Sequence, residues 1–146
     1  MRSLQQLWVR WRDWVVESRH ARNRAGHEAI LRTRVTQRSL SLLLALLDEE
    51  QRREFQVYGY FHVTGGSSGD TYRIRRDTAV NIDVLGHNGA VRYHLCAHPM
   101  GDIPMYDVMA GQLLYLQDEA SEMRFLEHAI RHVTLSFASM GRWQER

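Results

Sequence analysis

Lysine is absent from this chain of 146 residues, and all nineteen basic side chains are arginine. A GC-rich genome explains that absence as readily as any physical demand. Cysteine occurs once, at Cys96, which excludes an internal disulfide; the composition gives no reason to invoke an oxidising compartment, and the cytoplasm is the expected location. Long apolar runs are missing as well. The run Ser39 to Leu47, "SLSLLLALL", falls far short of the roughly 20 apolar residues that a membrane-crossing helix needs, so no membrane span is expected. The start, "MRSLQQLWVRWRDWVVESRH", has charges scattered through it and no small-residue cleavage site, and does not read as a secretory signal.

What remains suits one unit of ordinary size, large enough to bury a core without disulfides or an obligatory metal. Its charge is unevenly spread. Residues 1–38 hold nine arginines against Asp13, Glu17 and Glu28, a net of +6, whereas residues 39–146 hold ten arginines against fourteen acids, a net of −4. A basic amphipathic helical arm, residues 1–38, is therefore expected to precede an α+β domain, residues 39–146.

The periodicity is helical at first. Ser3 and Gln6 form a capping box, and Leu4, Leu7, Trp8, Trp11 and Val15 recur at helical spacing, which predicts a helix from Ser3 to about His20 that breaks near Asn23 or reaches Gly26. A second piece is expected over His27 to Gln37, and "SLSLLLALL", apolar nearly all round, suits a helix buried in the core. Asp48 reads as the cap of a short helix, "EEQRREFQVY", with an acidic first turn and Gly59 at its end. From Tyr60 the period changes to two. "YFHVT", "TYRIR", "AVNIDVL" and "AVRYHLCAH", separated by "GGSSG", "RRD" and "GHNG", predict four antiparallel strands. After Pro104, the spacing of Val108, Leu113, Leu116, Met123, Leu126 and Ile130 predicts one long C-terminal helix. The tail "VTLSFASMGRWQER" fits a frayed helix or a last strand equally.

Period two places Val80, Ile82 and Val84 on one face of their strand and Asn81 and Asp83 on the other. In the next strand, Val91, Tyr93 and Leu95 are set opposite Arg92, His94, Cys96 and His98. Across the GHNG hairpin, Asn81, Asp83, His94, Cys96 and His98 would then share a face. Imidazole, thiolate and carboxylate are all zinc ligands, so Cys96, His98, His94 and Asp83 are candidate metal-binding residues. A buried thiol among hydrogen-bonded histidines is the plainer alternative.

The order strand, C-x-C, hairpin, C-x-H, helix is that of the SWIM zinc finger. Cys96-Ala97-His98 followed by a helix resembles its second half, with Asn81-Ile82-Asp83 standing where the first pair of thiolates would be; the resemblance covers roughly residues 72–115. The succession "EEQRREF", "GYFHV", "YRI", "NIDVL", "LCAHP" and "DVM", over residues 46–117, is similar to small uncharacterised phage and bacterial proteins. That similarity implies a phage or prophage origin, in the host cytoplasm or the virion, and no established activity.

"GGSSG" lacks the spacing and the lysine of a phosphate-binding P-loop and reads as a flexible turn. No G-x-S-x-G elbow places a serine nucleophile, and no pair of carboxylates converges on a pocket, so an enzyme is not expected. Arg73 and Arg75, opposite Tyr72 and Ile74 on their strand, would form a nucleic-acid-binding patch or face acids. Trp8, Trp11 and Trp14 interleave with Arg10, Arg12 and Arg19. That pattern fits docking on the chain's own sheet, an interface with a second copy or other protein subunits, or contact with nucleic acid or an anionic membrane surface; in the nucleic-acid case Arg22 would join the three arginines. The expected function is non-catalytic: a binding or assembly module, structural or accessory, with nucleic-acid binding as the alternative.

Overall fold

The computed structural model describes the backbone of residues 4–76 and 80–133, and the side chains of Glu17 and of residues 25–76 and 80–133. The chain divides into two compact units, Met1–Arg38 and Ser39–Arg146. Among the described residues the elements are α1 (Leu4–Leu46), α2 (Glu49–Tyr58), β1 (Tyr60–Thr64), β2 (Thr71–Arg75), β3 (Ile82–Leu85), β4 (Val91–Cys96), α3 (Met105–Gln117), α4 (Glu119–His128) and β5 (Ile130–His132). The architecture is α+β. All five strands form one antiparallel sheet in the order of the chain.

Two expected helix boundaries are corrected. α1 runs unbroken through Asn23, Gly26 and Arg38 for 43 residues, where separate pieces were expected. The segment contains no proline, and one glycine inside a helix costs only about 1 kcal/mol relative to alanine, too little to end it. The long C-terminal helix is in fact two, α3 and α4, parted at Asp118, whose backbone is extended and whose carboxylate accepts from the Ser121 amide. A short polar residue that satisfies an orphan amide starts a new helix more readily than it continues an old one. The last residues assigned to that helix, Ile130 to His132, instead pair with β4 as a fifth strand. The remainder of the tail, from Thr134, lies outside the described residues.

The junction of α1 and α2 is built from side chains. Arg52 donates from Nε to the Leu44 carbonyl at 3.0 Å and from Nη2 to that of Leu47 at 2.8 Å, covering carbonyls that the end of α1 leaves open. Asp48 and Gln51 exchange side-chain to backbone bonds as a capping box, and Gly59, in the left-handed region at φ 73°, ends α2. α2 then seals the β1 edge. Gln51 Nε2 donates to the His62 carbonyl at 2.8 Å, and the His62 amide donates to Glu54 at 3.0 Å, which occupies the outward backbone groups at the middle of that edge.

The core lies on one face of the sheet, between Phe61, Val63, Tyr72, Ile74, Ile82, Val84 and Leu95 and the α3 side chains Met109, Leu113 and Leu116, with Leu43 and Leu47 of α1 joining it. Each such side chain contributes about 1.5–3 kcal/mol by leaving water. Val80, expected beside Ile82 and Val84, departs from them: its backbone is left-handed at φ 47°, and it lies before β3 rather than in it. Arg75 holds this bend, donating from Nη2 to the Val80 carbonyl and from its amide to that of Asn81, both at 2.8 Å.

The turn "GGSSG" joins β1 to β2 and is pressed against the α3–α4 junction. The Gly66 amide donates to the Leu116 carbonyl, and a Cβ at Gly66 would lie 2.5 Å from the Gln117 carbonyl oxygen and 2.6 Å from the Glu119 nitrogen. Backbone cannot step aside as a side-chain tip can. Gly66→Ala is therefore expected to lower stability by about 2–3 kcal/mol. Gly26→Ala, where a Cβ meets nothing within 4 Å, should raise it by roughly 0.5–1 kcal/mol. Denaturant titration of the two variants checks the pair, and a neutral Gly66→Ala would contradict this packing.

Candidate functional site

Period two brings a row of polar side chains across the face of the sheet opposite the core: His62, Arg73, Asp83, His94 and His132 are successive register partners on β1 to β5. Asp83 is the centre of this row and is 1% exposed. Arg73 donates to its Oδ2 from Nε at 2.8 Å and Nη2 at 2.6 Å, Arg75 Nε lies 3.2 Å from Oδ1, and His94 Nδ1 lies 2.7 Å from Oδ1. Burial pushes the Asp83 carboxyl up, but the hydrogen bonds from Arg73 and His94 and the charges of Arg75 and Arg73 outweigh it and hold it below the usual range. At the β1 end of the row, His62 Nδ1 pairs with Glu54 Oε1 at 2.8 Å.

This arrangement separates the four candidate metal ligands. Asp83 and His94 are bonded to each other, as their shared face predicted, but both Asp83 oxygens are already occupied by donors. Cys96 lies two residues further along β4 and opposite Ile130, while His98 has left the sheet and lines a cleft beside α3. Among the described residues no three His, Cys, Asp or Glu side chains come together as a metal site. Asn81 does not share the face. The bend at Val80 turns it toward α3, where it exchanges hydrogen bonds with the buried Gln112 at 2.8 and 3.0 Å, and Gln112 also donates to the Ala97 carbonyl. His62 and His94 are three strand spacings apart, roughly 14 Å.

A second polar centre was not visible in the sequence. Glu122 of α4 is fully buried and its carboxylate sits in the "GGSSG" turn. It accepts from the Ser67 amide and hydroxyl, both at 2.6 Å, from the Ser68 amide at 2.9 Å and hydroxyl at 2.5 Å, and from the Tyr72 hydroxyl at 2.6 Å. The turn is thus an anion cradle of amides and hydroxyls, and the anion is the protein's own. A Cβ at Gly65 would fall 2.1 Å from Glu122 Oε1, so glycine is what lets the carboxylate approach. Burial alone would raise the Glu122 carboxyl, yet the hydrogen bonds from Ser67, Ser68 and Tyr72 bring it from 4.5 down to about 2. Burial pushes the Tyr72 hydroxyl well above its usual range, and the adjoining Glu122 carboxylate adds to that rise.

Two clefts adjoin these centres. The one between α2 and β1, about 380 Å³, is polar and lined by Asp48, Glu50, Gln51, Glu54 and His62, of which Asp48, Gln51, Glu54 and His62 are hydrogen-bonded to neighbours. The other, about 370 Å³, opens between the β4–α3 loop, α3 and α4, with Val108, Tyr115 and Phe125 as apolar walls and His98, Asp107, Gln112 and His128 as its polar groups.

Of the remaining candidates, Arg73 and Arg75 share the Asp83 carboxylate, so much of the positive charge on the sheet is met internally. Trp8, Trp11, Trp14, Arg10, Arg12, Arg19 and Arg22 all fall on α1, and their side chains lie outside the described residues. No helix among the described residues is long and apolar enough to cross a membrane. Comparison with family models, curated proteins and solved structures finds no match to the chain.

Because folding holds Glu122 below its ordinary value, its contribution to stability is complete above pH 4.5 and is lost as the pH falls toward about 2. The shift corresponds to on the order of 3 kcal/mol. Glu122→Gln places an amide against a cradle made of donors and should cost about 1–3 kcal/mol at neutral pH while flattening the loss of stability below pH 4.5. Thermal melts of both proteins from neutral to acid pH read this directly. Parallel profiles would mean that Glu122 is not the acid-sensitive group.

Proposed function

We propose that this chain is a non-catalytic assembly module that binds protein subunits, a second copy of itself among them, through α1. One observation carries the reading. Residues 25–38 of α1 are all exposed, and Ile30, Leu31 and Val35 stand among them at 55%, 46% and 49% exposure. Most helices in proteins owe their stability to an apolar face packed against something rather than to intrinsic propensity, so an uncovered stretch of this kind calls for a partner. Leu42 and Leu46, also exposed, continue the stripe of Leu31 and Val35 at helical spacing. The opposite charges of residues 1–38 and 39–146 support association between copies. The resemblance to small phage and bacterial proteins that the sequence of residues 46–117 suggests is the ground for a phage or prophage setting, with the protein acting in the virion or the host cytoplasm.

The excess of arginine in the arm also supports nucleic-acid binding through Arg10, Arg12, Arg19 and Arg22. That reading draws less support from the sheet, where Asp83 answers Arg73 and Arg75. The two are separated by sedimentation velocity and a nucleic-acid titration. We expect concentration-dependent association that weakens when Ile30, Leu31 and Val35 are replaced together by serine, and only weak retention on duplex DNA or RNA at physiological salt. A chain that stays monomeric at every concentration and binds nucleic acid with a steep salt dependence would overturn the assembly reading in favour of the second.

A further inference from the structure

The apolar cleft holds polar groups that meet no partner among the described residues, the half-buried Asp107 and the exposed His98. Among the described residues nothing hydrogen-bonds to the imidazole of His98 or to the carboxylate of Asp107, although both line a cleft walled by Val108, Tyr115 and Phe125. His128 Nδ1 is committed to the Arg124 carbonyl at 2.7 Å, leaving its other ring nitrogen as a further polar group there. Gly111 lies on the α3 side, and a Cβ built on it meets no atom within 4 Å, so the space beside it is open. Aromatic and aliphatic walls with a few hydrogen-bond acceptors are the chemistry of a site for one large amphipathic group.

An indole supplies that group: a wide apolar face, one N–H donor and no acceptor. The Asp107 carboxylate and a neutral histidine each offer an acceptor to it. Residues 8 to 14 place three tryptophans at three-residue intervals on a helix, with Arg10, Arg12 and Asp13 between them. The segments that form the cleft carry exposed acids, Asp102 in the β4–α3 loop and Glu127 in α4, against the exposed Arg124. Charge therefore favours the arm as occupant, in keeping with the net of +6 on residues 1–38 and −4 on the rest. We infer that this cleft receives the Trp8–Trp14 segment of α1 from a second copy of the chain, a head-to-tail contact that rests on the assembly reading and specifies where the arm lands. Such a contact joins unlike surfaces, so two copies that exchange arms close into a pair, and copies that do not exchange add in series as rings or filaments.

The test uses the full chain and two variants. Gly111→Leu fills the cleft from a helical position with room for the side chain; the triple variant Trp8→Ala, Trp11→Ala, Trp14→Ala removes the occupant. In sedimentation velocity each variant alone should associate roughly tenfold more weakly than the wild type or worse. Mixing the two should restore a one-to-one dimer, since one partner keeps its arm and the other its cleft. Circular dichroism verifies that both fold, and should Gly111→Leu fail to fold, Asp107→Asn serves in its place with a several-fold loss expected. If Gly111→Leu associates as strongly as the wild type, the cleft is not the landing site, while the assembly reading stands. A wild type that is monomeric throughout would defeat both. If filling the cleft instead shifts the tryptophan fluorescence of a monomer, the arm occupies its own cleft and the second copy is excluded.

Discussion

The carboxylate of Glu122 ties the C-terminal helices to the sheet through five hydrogen bonds, and much of the local design follows from accommodating it. A buried anion is tolerated only when its lone pairs are met, and here two amides and three hydroxyls meet them. Gly65 must lack a side chain for the carboxylate to reach the turn, and Gly66 must lack one for the turn to reach the α3–α4 junction. Tyr72 belongs to the core by its ring and to the cradle by its hydroxyl, so the polar contact and the apolar packing share a residue.

Asp83 plays a comparable part on the opposite face of the sheet. It sits between Arg73 and Arg75 and beside His94, so side chains that in sequence look like a metal site or a phosphate-binding patch are largely occupied with one another. Removing this carboxylate would take a charged acceptor from Arg73 and Arg75, which are 29% and 31% exposed, so water meets part of the loss. The same internal pairing holds for Asn81 with Gln112 and for Glu54 with His62. Among the described residues, the apolar cleft with His98 and Asp107 and the exposed stretch of α1 over residues 25–38 are not met by internal partners.

Legibility in the sequence followed how local each signal was. α2 was readable to its ends because Asp48, Gln51 and Gly59 act within a few residues of themselves, and β1 and β2 because strict alternation bounds them. The adjacency of Asp83 and His94 followed from the hairpin turn at Asn88-Gly89 and period two. Features that depend on distant partners were not readable. An acid in a helix is ordinarily solvated, so nothing local marks Glu122 as buried. The break at Asp118 then shifts the phase of the apolar stripe, so that Met123, expected inward, is exposed while Glu122 takes the inward position. Alternation puts Asn81 on the face of Asp83 because it assumes an unbroken strand, whereas Val80 bends the chain just before it.

The claim that the conspicuous polar loop is consumed internally is tested most directly by hydrogen exchange at the amides of Ser67 and Ser68, which donate to Glu122. If the carboxylate is seated as described, these turn amides open only with the cooperative unfolding of the domain, with free energies close to those of the core strand amides. Exchange at the rate of an open surface turn would contradict it, and would return "GGSSG" to the set of loops free to bind an external anion.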